Sequence, residues 1–127
     1  MIVLDAIVLI AHLNPNDAHH DAATQILLSA SPSSLLVHSI TLAEVLVGGA
    51  RIGRGAEMYA DLMAAGVRLA DHDEQEPVRL AQLRATSGLK LPDCCVLDTA
   101  INNDASLATF DHALVRAART NGMAVLP

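Results

Sequence analysis

Four carboxylates in this 127-residue chain stand where an α/β protein collects reactive groups. Asp5 directly follows the apolar run Ile2-Val3-Leu4, and Glu44 lies early in a helical stretch after a second apolar run. Asp93 follows Pro92 at a helix start, and Asp111 comes just after Leu107-Ala108-Thr109. Three of them have a plain structural reading as helix caps. Thr41-Leu42-Ala43-Glu44 has the form of a capping box with Thr41 as N-cap. Asp93 suits a helix dipole, and Asp111 can cap a helix that starts at His112. Asp5 resists that reading, because an apolar strand-to-helix junction is a poor place for an unpaired carboxylate. Cations to pair with it are few: Lys90 is the single lysine in a chain of net charge −6. Converging carboxylates without such partners repel one another and raise each other's pKa unless a cation neutralises them. Oxygen-only ligands select a hard ion, Mg²⁺ or Mn²⁺ in its place.

The elements that must position these acids alternate along the chain. Ile2-Val3-Leu4, Ser34 to His38, Val67 to Ala70, Leu107 to Thr109 and Met123 to Leu126 predict about five short strands. Helices are predicted over Ala6 to His12, Asp17 to Leu28, Leu42 to Ala50, Gly55 to Ala65, Asp73 to Thr86, Asp93 to Asn102 and His112 to Arg119. Strands separated by helices imply right-handed crossovers and a mainly parallel sheet covered on both sides. The expected fold is therefore a three-layer α/β/α sandwich, a single domain over residues 1–127. In such sheets a site gathers at the carboxyl ends of the strands, where the strand order reverses. All four acids fall near that edge. Asp98 is a fifth acid, but five residues beyond Asp93 it points about 140° away around the helix and is set aside.

Composition narrows the functions. Apolar residues make up 52% and charged ones 17%, enough for a real core and unlike a disordered segment. The negative charge excludes a basic nucleic-acid coat. With one Phe, one Tyr and no Trp, an aromatic platform for stacking bases is not expected, which leaves phosphate contacts. Arg51, Arg54, Arg84 and Lys90 are the candidates for those, the alternative for each being a solvated helix face. The adjacent Cys94 and Cys95 cannot pair with each other on a helix, so free thiols and a cytoplasmic setting are expected. No membrane anchor is expected from the short, Asp-interrupted apolar start.

The opening IVLDA, the TLAE stretch, LPD at a helix start and ATFD after the fourth strand together resemble the PIN domain family, in particular the VapC-type toxins of bacterial toxin–antitoxin pairs. The resemblance runs from Met1 to the final strand and is specific only in combination. It implies a Mg²⁺-dependent endoribonuclease whose acidic quartet maps onto Asp5, Glu44, Asp93 and Asp111, with Thr109 assisting. The family commonly carries a Ser, Thr or Asn within two residues of the first Asp; this chain has Ala6-Ile7 there, so one polar neighbour of the site is missing.

A hydrated ion held by carboxylates can acidify an attacking water and clamp a phosphate oxygen, so phosphodiester hydrolysis is the natural reaction. Asp5 and Asp93 are then direct ligands, Glu44 a ligand through water or its activator, and Asp111 a second-site or outer ligand. The resemblance also implies a folded RNA substrate such as tRNA or rRNA and a small VapB-like antitoxin over the site. A homodimer or antitoxin groove along Leu42 to Val47 and Tyr59 to Met63 is weighed against plain core packing of the same faces. Two other classes compete: a catalytically idle PIN-like binding module, kept open by Ala6-Ile7, and a Mg²⁺-dependent phosphoryl-transfer domain. The latter fits poorly, since no lysine follows Lys90 and Ile7 stands where a second aspartate is needed.

Overall fold

The apolar runs become five short parallel strands. In the computed structural model, which describes residues 1–127, the elements are β1 (Ile2–Leu4), α1 (Ala6–Leu13), α2 (His20–Ser29), β2 (Leu35–Val37), α3 (Ser39–Arg51), α4 (Gly55–Ala64), β3 (Val67–Leu69), α5 (Glu76–Ser87), α6 (Leu91–Asn102), β4 (Ser106–Ala108), α7 (His112–Thr120) and β5 (Val125–Leu126). The sheet order is β3-β2-β1-β4-β5, all pairs parallel, with Val3 opposite Leu36 on one side and Leu107 on the other. The chain steps outward through β2 and β3, then returns to lay β4 on the other side of β1. Right-handed crossovers that move in opposite directions put their helices on opposite faces. Accordingly Leu4, Val37 and Val67 pack with α1 to α4, while Val3 and Leu107 pack with α5 to α7. The fold is the expected α/β/α sandwich.

Several helix starts differ from the sequence expectation, each for a local reason. α2 begins at His20, not Asp17, because Asp17 Oδ1 accepts the His19 amide in a turn. α5 begins at Glu76, not Asp73, whose Oδ1 likewise accepts the Gln75 amide. α3 begins at Ser39, and its N-cap is His38, whose Nδ1 accepts the Ile40 amide at 3.0 Å. The capping box at Thr41 is thus not formed. Thr41 lies inside the helix, fully buried, and its hydroxyl is a buried side-chain polar atom without a partner.

The apolar stretches considered for a partner divide between core and surface. Leu42, Val45 and Leu62 are buried, and of those stretches Val47 and Tyr59 keep large exposed surfaces. α6 is buried on nearly every side from Cys94 to Ala100, which suits a helix wedged between the sheet and its neighbours. Its one charged residue in that run, Asp98, accepts from Arg79 Nε at 2.8 Å and Nη2 at 3.2 Å, and Arg79 also holds Asp73. This pairing ties α5 to α6 and removes Asp98 from the acid site.

The two glycines near the end of α3 have different roles. A methyl on exposed Gly48 meets nothing, whereas one on buried Gly49 collides with Met58 Sδ of α4, so Gly49 permits the close α3–α4 crossing. Gly48→Ala is therefore expected to raise unfolding free energy by about 1 kcal/mol through helix propensity. Gly49→Ala should fall short of it by about 1 kcal/mol or more. Urea unfolding of the two variants checks this, and equal effects contradict the close crossing.

Candidate active site

The topology brings the ends of β1 and β4 together at the point where the strand order reverses, and a crevice is expected there. Asp5 is the first residue after β1 and continues the ladder, its amide donating to Ala108 O at 3.0 Å. It is also the N-cap of α1, with Oδ1 accepting the Ala6 amide at 2.8 Å. Its other oxygen, Oδ2, accepts the Thr109 hydroxyl at 2.6 Å. That hydroxyl in turn accepts the Asp111 amide at 3.0 Å, and Asp111 Oδ1 caps α7 by accepting the Leu114 amide. A continuous chain of hydrogen bonds therefore runs from α1 to α7 through Asp5, Thr109 and Asp111. Thr109, 1% exposed, is the one side-chain hydroxyl bonded to Asp5.

Asp93 stands in the first turn of α6, half-buried, and neither a hydrogen bond nor an ion pair holds its carboxylate. Burial first, and then the Asp111 charge, raise its pKa, with Lys90 opposing them. Asp5 is pushed up to about 6, chiefly by burial, and further by the charges of Asp93 and Asp111, although Thr109 and the Ala6 amide pull the other way. Asp5, Asp93 and Asp111 thus act on one another electrostatically. Glu44 is set apart: it is exposed in the second turn of α3, and its charge reaches α6 as the least of several contributions that, after burial, push the Cys95 thiol up to about 11.

Three carboxylates that act on one another at one edge of the sheet, with no guanidinium or ammonium bonded to them, fit a hard divalent ion. No three of the four acids bring all their ligand atoms within 4.8 Å of one another. Such an open set suits Mg²⁺, which keeps several waters, better than an ion that needs a closed protein cage.

The one trio that does meet that distance is His38, His72 and Glu76, which the sequence reading left unconnected. Glu76 accepts from both rings, His38 Nε2 at 2.9 Å and His72 Nδ1 at 2.6 Å, and Ser39 Oγ lies 3.0 Å from His72 Nε2. Because His38 Nδ1 accepts the Ile40 amide, the neutral ring carries its proton on Nε2 and offers an ion no lone pair there. The trio is a hydrogen-bonded tie between α3 and α5. His38 occupies after β2 the place Asp5 occupies after β1, a signal the sequence did contain; Glu76 left none.

The basic candidates are dispersed. Lys90 caps α6, and its charge reaches Asp93. Arg84 is engaged by Gly88 O and Leu89 O at 2.8 Å each, and Arg54 by Glu57. Arg51 ends α3, about 10 Å along the axis beyond Glu44. The largest cavity, about 420 Å³, lies between α5 and α7 and contains none of the four acids. A cavity of about 280 Å³ instead adjoins the acids through Thr109, Phe110 and His112. On one wall the His19 ring lies on Phe110 with centroids 4.2 Å apart and planes 11° from parallel.

The Asp5 shift predicts a stability profile. An acid whose pKa rises on folding, here from 3.8 to about 6, binds more protons folded than unfolded in that window. The folded state then loses stability as pH rises through it, by about 3 kcal/mol in full. In the absence of divalent ions, Asp5→Asn should therefore unfold at a higher temperature than the parent near neutral pH, with the difference closing by about pH 4. A difference that is absent, or that grows toward acid pH, contradicts a charged, buried Asp5.

Comparison with known proteins follows the same outline. A toxin–antitoxin complex from Klebsiella pneumoniae is 25% identical with a TM-score of 0.72, over 87% of each chain. VapC20 of Mycobacterium tuberculosis, described as a sarcin–ricin loop cleaving toxin, is 16% identical with a TM-score of 0.77, over 92% of this chain and 95% of that one. VapBC2 from Rickettsia felis, bound to a promoter DNA fragment, is 16% identical with a TM-score of 0.70, over 98% of this chain and 97% of that one. No curated protein matches the chain. The PIN domain profile matches residues 2–120, nearly the whole length and every element from β1 to α7. The chain belongs to the PIN domain family.

Proposed function

We propose that this protein is a Mg²⁺-dependent endoribonuclease, the toxin of a toxin–antitoxin pair, which hydrolyses RNA phosphodiester bonds. The observation that carries the reading is the set of Asp5, Asp93 and Asp111, mutually repelling and with no protein cation bonded to them, at the sheet's reversal point. Membership of the PIN domain family, and solved neighbours that are toxin–antitoxin proteins, support it. Mg²⁺, with Mn²⁺ as a substitute, supplies when bound a more acidic water and a clamp on a phosphate oxygen.

The protein's own groups divide the work. Asp5 and Asp93 are the direct ligands. The Ala6 amide and Thr109 hydroxyl fix both oxygens of Asp5, so its carboxylate costs little reorganisation when it is used. Asp111 commits Oδ1 to α7 and leaves Oδ2 for an outer role. Glu44, exposed and reaching toward α6, acts through water as a ligand or a proton acceptor. Lys90 is the first of the phosphate contacts, Arg51 the second, and Arg54 and Arg84 contribute only by giving up the bonds they now make. A VapB-like antitoxin would cover the crevice, an Arg being the natural partner for its uncompensated acids. The substrate is read as a folded RNA, in which an exposed phosphodiester can enter a crevice that repels loose strands. An idle binding module is the second reading, kept open by Ala6-Ile7, though Thr109 still holds Asp5.

Asp93→Asn should lower Mg²⁺-dependent RNA cleavage at least about 100-fold with unfolding temperature retained, and Thr109→Val about 10- to 100-fold. Cleavage by purified protein with and without EDTA, alongside thermal melts, checks both. Full activity of Asp93→Asn, or cleavage that persists in EDTA, contradicts the assignment.

A further inference from the structure

The cavity of about 280 Å³ beside the acids is unlike the rest of the site in chemistry. His19, Thr109, Phe110, His112, Val115 and Arg119 all line it. Thr109 is the residue whose hydroxyl holds Asp5, and Phe110 and His112 flank Asp111, so one wall of the cavity is bonded to the acid site. His112, Val115 and Arg119 form one face of α7, at spacings of three and four residues.

Two features point to a planar, partly charged occupant. The first is the stacked pair: His19 lies flat on Phe110, is exposed itself, and lines the cavity with it. Its backbone is held in place, since Asp17 Oδ1 accepts the His19 amide at 2.8 Å. The second is the cation. Arg119 is exposed and, unlike Arg54 and Arg79, is not paired with a carboxylate. Stacking on a π face adds affinity without regard to net charge, which matters in a chain of −6. An arginine beside it adds a phosphate or base-edge contact.

Resting on the ribonuclease reading, we propose that this cavity seats one unpaired base of the RNA, next to the phosphodiester presented to Asp5, Asp93 and Asp111. The base extends the Phe110–His19 stack, and Arg119 holds the flanking nucleotide. A base swung out of a loop can enter it, and one held in a helix cannot, so the cavity selects unpaired positions.

Nuclear magnetic resonance titration of the whole protein with AMP and UMP in EDTA tests the seat apart from cleavage. The expected result is a base-dependent upfield shift of the His19 ring protons, with weaker shifts from ribose 5-phosphate. His19→Ala and Arg119→Gln, both at exposed positions, should each weaken AMP binding about tenfold. His19→Ala should also lower kcat/KM for RNA by a similar factor without changing the Mg²⁺ dependence. Equal shifts from ribose 5-phosphate would reduce the cavity to an anion patch, and stronger shifts from acetyl-leucine amide would make it a peptide groove; either overturns the proposal. RNA cleavage with an unperturbed cavity removes the base seat alone. A seated nucleotide without any RNA cleavage removes the nuclease reading and leaves the seat standing.

Discussion

A carboxylate set where the sheet is most apolar shapes the site around it. Asp5, 7% exposed, follows two fully buried strand residues, and every contact it makes stabilises its ionised form without neutralising it. Two amide or hydroxyl donors reach it, but no ammonium or guanidinium does. The charges that do approach, from Asp93 and Asp111, have the same sign. The reversal of strand order between β1 and β4 creates that proximity, because it lays the turn after β4 against the turn after β1. Fold and site are thus one arrangement: the crossover that closes the sheet also delivers Thr109 and Asp111 to Asp5.

The surrounding elements hold this uncompensated charge in place by being compensated themselves. Asp98, on the same helix as Asp93, is paired with Arg79, and Glu76 is held by His38 and His72. Arg84 bonds the carbonyls of the turn that leads into α6. Arg79 and Arg84, which might have quenched the acids, are spent on the tie between α5 and α6 and on the turn between them. Asp93 consequently enters α6 with both oxygens free of protein donors, while the remainder of that helix packs into the core.

Much of this is readable from residue order because parallel sheets repeat one pattern. An apolar run, an acid and a helix recur at Asp5 and at Asp111, and the position after a strand is the same edge each time. Gly88, at φ 72°, ends α5 where a left-handed residue is needed, as the glycine suggests. The errors have a common cause: side chains that bond to nearby amides move a helix start. His38 takes the capping role assigned to Thr41, and Asp17 and Asp73 close turns in place of opening helices. Long-range pairs leave no local trace. Nothing in the spacing marks Arg79 for Asp98, Thr109 for Asp5 at 104 residues' separation, or His19 for Phe110. That last pair includes an imidazole, which a count of Phe, Tyr and Trp leaves out.

The account depends on Asp5 being a buried carboxylate that only a divalent ion relieves. Carbon-13 titration of its side-chain carboxyl, with and without Mg²⁺, measures that directly. The predicted midpoint is about 6 in the metal-free protein, and it should move well below that when Mg²⁺ is added. A midpoint at the ordinary carboxylate value that Mg²⁺ leaves unmoved would contradict it.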